Sequence, residues 1–243
     1  MKALYLKEIR SFLSSLIGYV VIGVFLLLVG LFLWIFPGDF NILDTGYASL
    51  SPLFEIAPWV FMFLIPAVTM RSFAEERRTG TMELLLTKPI SDFQIVLAKF
   101  LAGLSLVALA ILPTFIYYFS IHWLGNPQGN LDVGGTIGSY IGLFFLAGAY
   151  VSMGVFSSSL TSNQIVSFLL SAVLCFFMYI GFQQLALFEV FGSFDDLIMG
   201  LGIFDHNQKL QKGVIDSRDV IYFIAFICCF LLSTRLVIQS RKW

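Results

Sequence analysis

The chain has 243 residues, of which 58% are apolar and 12% charged, with a net charge of -1. That charged share is about half of what a soluble domain carries, so the composition excludes a water-soluble globular fold and places the chain in a bilayer. The longest stretch between apolar runs is 31 residues, too short for an independent catalytic core.

In chain order, residues 1–16 come first. Tyr5, Ile9, Phe12, Leu13 and Leu16 share about a 100° arc of a helical wheel, with Lys7, Arg10, Ser11 and Ser14 opposite. This pattern predicts an amphipathic interfacial helix, or else a basic flank that orients the next segment. Uncharged runs follow at 17–36, 100–121, 136–160 and 165–188, each at least 20 residues long, which is about what crossing roughly 30 Å requires. Two further runs, 56–70 and 220–234, hold 15 uncharged residues each and reach full length if Glu55, Arg71 and Arg235 snorkel. Six spans are therefore expected, at 17–36, 53–71, 99–123, 136–160, 164–188 and 219–238. With no small-x-small cleavage site after it, the first run is expected to act as a signal-anchor.

Charge orients these spans. If both termini lie in the cytoplasm, eleven of the fourteen Lys and Arg residues fall on that side, and only Lys209, Lys212 and Arg218 fall outside. The bias predicts an N-in, C-in topology. Ten of the fifteen acids fall outside, although acids carry little weight in this rule.

The loop between the second and third spans is the most informative. In residues 75–90, Thr79 or Thr81 can cap a short helix, Glu83 complements its positive end, and Leu84, Leu85 and Leu86 give it an apolar side. The residue before Pro89 is pushed out of helical geometry, and Ser91 with Gln94 spells a capping box for the next helix. A separately capped short helix suits docking, whereas the plainer alternative is a solvated connection.

The fourth span opens with Gly134, Gly138 and Gly142 at four-residue spacing, which fits close helix packing within one subunit or at a dimer seam. Pro113, with Ser105 and Thr114 nearby, is expected to kink the third span. The uncharged polar run 157–164 is either a turn or a second, smaller partner contact. Segment 189–205, placed outside by charge, holds Val190, Phe191, Phe194, Leu197, Ile198, Met199, Leu201, Ile203 and Phe204. It is expected to re-enter the bilayer as an outer gate formed by Phe191, Phe194, Leu197 and Ile198, since a watery loop would leave them as an exposed apolar patch.

The chemistry classes are narrow. No ionisable residue is expected in a span core, which argues against a proton-coupled transporter or charge-lined channel. His122 and His206 join no HExxH, GxSxG or metal-ligand spacing, which argues against an intramembrane enzyme. Cys175, Cys228 and Cys229 lack metal-like spacing and read as packing residues. No catalytic, metal or cofactor residue is expected.

Glu75, Glu76, Arg77, Gly80, Thr81, Glu83, Leu84, Lys88, Pro89 and Ser91 form a pattern that resembles the permease subunits of type-2 ABC transporters, with the nearest likeness to gliding-motility-associated members. The likeness extends to span number, N-in topology and the amphipathic N-terminal segment. It implies one all-α membrane permease domain over 1–243 in a bacterial inner membrane, paired with a second copy or a related permease. It also implies cytoplasmic ATPase subunits that contact Glu75, Glu76, Arg77, Gly80, Thr81, Glu83, Lys88 and Pro89 through a coupling helix, and outer re-entrant helices before the last span. The sequence has no G-x-x-x-x-G-K-[ST] stretch, so ATP is expected to bind a partner subunit. A non-transporting membrane scaffold for a motility or secretion complex is the alternative.

Overall fold

The computed structural model describes residues 1–87, 89–187 and 199–240. Its described residues are helical, with no strand among them. Five helices are long and apolar enough to cross a membrane: Ser51–Arg78, Asp92–Leu124, Val133–Leu160, Gln164–Leu187 and Ser217–Gln239. We refer to these as spans two to six. The first span is Leu16–Trp34, 19 residues or about 28 Å of helix, and it leaves the N-terminal helix Lys2–Leu13 at a bend of 66°. The fold is thus an all-α membrane bundle with up to six spans.

The fourth span is the hub, packed against the second, third, fifth and sixth spans and against the helix Ile203–Gln211. Small residues allow this. A Cβ added at Gly138 would lie 2.6 Å from the carbonyl oxygen of Gly213, and one at Gly142 would lie 2.5 Å from Cβ of Leu210. Gly142 and Gly138 therefore seat the helix Ile203–Gln211 of the same chain and the turn after it, whereas Gly134 faces only Asp132 of its own helix start. Aromatic pairs fill the rest of the bundle, such as Phe25 stacked on Phe61 at 5.0 Å and Phe54 edge-on to Tyr140 at 5.0 Å.

Proline shapes two spans. Pro113 sits in a 3-10 turn, Leu112–Thr114, inside the third span, where Thr114 Oγ1 donates to the Ile111 carbonyl at 2.7 Å. Ser105 instead bonds the Leu101 carbonyl at 2.8 Å, below the turn. The second span carries Pro58 and Pro66 within its helix. Pro58 has no N–H for the carbonyl of Phe54, four residues earlier. That oxygen accepts instead from Gln211 Nε2 at 2.6 Å, while Ser139 Oγ donates to the Gln211 carbonyl at 2.7 Å. One residue thus ties the second and fourth spans to the helix that lies across them.

His206, which the sequence joined to nothing, stacks on Tyr222 at 3.9 Å and contacts Asp219 in the first turn of the sixth span at 2.6 Å. The expected gate residues Phe191, Phe194, Leu197 and Ile198 lie outside the described residues, as does Lys88. Within the rest of that segment, Ile203 is fully buried in the helix that covers the fourth span.

Candidate functional site

The site is built where the N-terminal helix, the extension of the second span and the start of the third span meet. The third-span helix begins at Asp92, because Ser91 and Gln94 form the capping box: Ser91 Oγ accepts from the Gln94 N–H at 3.3 Å, and Gln94 Oε1 accepts from the Ser91 N–H at 3.2 Å. Starting there places Lys99 two turns inside the helix with its side chain only 1% exposed. Lys99 is thus not the flanking charge expected from its position before an apolar run.

The Lys99 ammonium donates to Glu8 Oε1 at 3.0 Å and to the Ser72 carbonyl at 2.5 Å. It also lies 3.0 Å from Glu76 Oε2 and 4.9 Å from the centroid of the Phe73 ring. No donor is aligned on that Glu76 oxygen, so the contact is ionic rather than a hydrogen bond. Lys7 completes the group at 3.1 Å from Glu76 Oε1 and 3.5 Å from Glu8 Oε1. Two cations and two carboxylates cancel, and this neutrality is what makes such a depth tolerable. Partial burial alone would lower the Lys7 pKa, but the facing charges of Glu8 and Glu76, and hydrogen bonds to both, outweigh it and raise it above the ordinary 10.5.

Tyr5, Phe12 and Leu13 of the expected arc rest on the core, but the most deeply buried positions lie beside that arc. Leu4 and Glu8 are the buried residues of the N-terminal helix, and Tyr5 bonds Ser105 Oγ on the third span at 2.9 Å. The helix docks on the bundle through a charged residue because Lys99 awaits it there.

The second-span helix runs from Ser51 to Thr69 before its first interruption. It breaks at 70–73 and resumes as Ala74–Arg78, and the break is held by one hydroxyl. Ser158 Oγ accepts from the Phe73 and Ala74 N–H groups at 2.9 and 3.1 Å and donates to the Met70 carbonyl at 3.0 Å. The polar run 157–164 therefore serves this corner, and Gln164 Nε2 donates to Glu75. Glu75 also pairs with Arg78 at 2.9 Å.

Beyond the corner, Gly80 turns the chain at a φ of 71°, a conformation that suits glycine, and a short helix, Met82–Leu86, follows. The expected threonine cap is absent. Thr81 takes the cap position without accepting from the helix, its backbone being helical (φ −81°, ψ −7°) rather than extended, and its hydroxyl donates back to the Glu76 carbonyl at 3.4 Å. Among the residues expected at a partner contact, Gly80, Thr81, Glu83 and Pro89 are exposed, and Glu75 and Arg77 are half-buried. Glu76 is 8% exposed and turns inward to Lys99. An open cavity of about 470 Å³ lies over the charged group, lined in part by Arg71, Glu75, Arg78 and Gln164.

The charged group fastens the base of the hairpin 79–87 to the N-terminal helix and the third span at once. Residues 3–192 match the model of a family described as ABC-2 family transporter protein. No curated protein matches the sequence. With about three quarters of its length matched, the chain belongs to the ABC-2 family of membrane transporter proteins.

Proposed function

We propose that this chain is the permease subunit of an ATP-driven transporter in a bacterial inner membrane, with cytoplasmic ATPase subunits docking on the hairpin 79–87. The observation that carries the reading is the quartet Lys7, Glu8, Glu76 and Lys99, buried except for Lys7 at its rim, which fastens the base of that hairpin to two membrane elements. A solvated connecting turn needs no such anchorage. Burying charges is costly, and this cost is offset only in a fixed geometry, so the junction moves as one body.

In this reading Gly80, Thr81, Glu83 and Pro89 meet the ATPase, Glu75 and Arg77 flank the contact, and Glu76 transmits. ATP is bound and hydrolysed in the partner. The permease pairs with a second copy or a related membrane subunit. Cargo destined for the cell surface, in service of gliding motility, is the assignment that the 75–91 pattern favours. The test is reconstitution with the candidate ATPase in vesicles. ATPase stimulation together with cargo movement supports a transporter, while partner binding without movement supports a scaffold. Orientation is checked in the same cells: cysteines placed at Asp44 and Asp132 should react with an impermeant thiol reagent from outside, and one at Thr79 should not.

A further inference from the structure

At the end of the bundle opposite the charged junction, the second span presents Glu55 and Trp59 one helical turn apart on one face, where the second span begins. Trp59 lies edge-on to Tyr179 at 6.1 Å and 81°, and Tyr179 lies edge-on to Phe204 at 5.4 Å and 75°. Tyr179 is held in place because its hydroxyl accepts from Asn207 Nδ2 at 3.3 Å. These three rings and the Glu55 carboxylate border an open cavity of about 420 Å³, with Lys212 also on its lining.

We propose that this cavity binds the ammonium group of an organic cation. Aromatic faces carry negative charge density and attract a cation within about 6 Å of the ring centroid. Glu55 makes no hydrogen bond or ion pair among the described residues, so its carboxylate is left for a guest in the cavity that it shares with Lys212. A metal ion needs several ligands converging on one point, and among the described residues no group of three or more His, Cys, Asp or Glu is placed to hold one. A neutral apolar guest would leave the carboxylate without a partner. The volume falls within the range of small-molecule sites. Lys212 reaches no carboxylate, and it suits a phosphate carried by the same molecule. The ammonium therefore comes either from a free organic cation such as choline or from an amine-headed phospholipid in the facing leaflet. The inference does not depend on the ATPase contact, since it concerns the other end of the molecule.

The test is equilibrium binding of radiolabelled choline to the full chain in nanodiscs of phosphatidylglycerol, with competition by its neutral tert-butyl isostere and by phosphatidylethanolamine added to the discs. Saturable choline binding that the isostere does not displace is expected. Glu55→Gln and Trp59→Leu should each weaken it by about tenfold, and both sites are exposed enough for the variants to fold. Displacement by phosphatidylethanolamine, reduced in Lys212→Met, assigns the site to a lipid headgroup, and failure of that lipid to compete assigns it to a free amine. Absence of saturable choline binding, equal competition by the isostere, or unchanged affinity in both Glu55→Gln and Trp59→Leu would overturn the proposal.

Discussion

The ammonium of Lys99 and the carboxylate of Glu8 meet at 3.0 Å although 91 residues separate them in sequence. This pair fixes where the N-terminal helix lies, since Glu8 can be buried on that helix only if a cation faces it. The same ammonium reaches Glu76 at 3.0 Å, so the position of the N-terminal helix and that of the hairpin base are set by one side chain.

Lys99→Met should accordingly leave the two carboxylates served only by the exposed Lys7 at the rim of the group. Removing one partner from a buried ion pair costs about 3–5 kcal/mol, and the unfolding transition in detergent should fall accordingly. The double variant Lys99→Met with Glu8→Gln should recover part of that loss, whereas strict additivity would mean that the two residues do not interact.

The spans were legible because uncharged runs of bilayer length need no knowledge of their neighbours. The capping box at Ser91 and Gln94 was legible for the same reason: both groups lie within one turn. The junction was not, because Lys99, Glu8 and Glu76 look like ordinary flanking charges until the chain folds. The one local signal was available in the capping box itself, which starts the helix at Asp92 and so carries Lys99 inward. His206 and Asp219 were missed in the same way, being 13 residues apart on separate helices. The role of Ser158 at the corner 70–74 follows from backbone groups 84 and 85 residues away in sequence, which no motif marks.

Gln211 offers a test of the opposite end. Its amide satisfies the Phe54 carbonyl that Pro58 leaves without a donor, so Gln211→Leu should orphan a buried acceptor. The expected loss is about 1–3 kcal/mol. Adding Pro58→Ala to that variant supplies the missing N–H and should restore most of the stability, as read from thermal unfolding of the purified chain.

Lys7 gives a pH dependence whose sign is fixed. Its pKa is raised in the folded chain, so its contribution is complete below the ordinary value of 10.5 and is lost as pH rises through the folded value. The stability difference between the wild type and Lys7→Met should therefore stay flat from about pH 6 to about pH 9 and shrink only in more alkaline solution. A difference that changed near neutral pH would show that another group is responsible.

The central claim is that the hairpin 79–87 receives an ATPase and that the quartet beneath it transmits the motion. The most direct measurement is quantitative recovery of nucleotide-binding subunits with the full chain in mild detergent, together with ATPase stimulation, for the wild type, Glu83→Lys and Glu76→Gln. The account predicts that the wild type retains an ATPase, that Glu83→Lys loses it while still inserting in the membrane, and that Glu76→Gln retains it but loses stimulation. Equal recovery and equal stimulation in all three would contradict it.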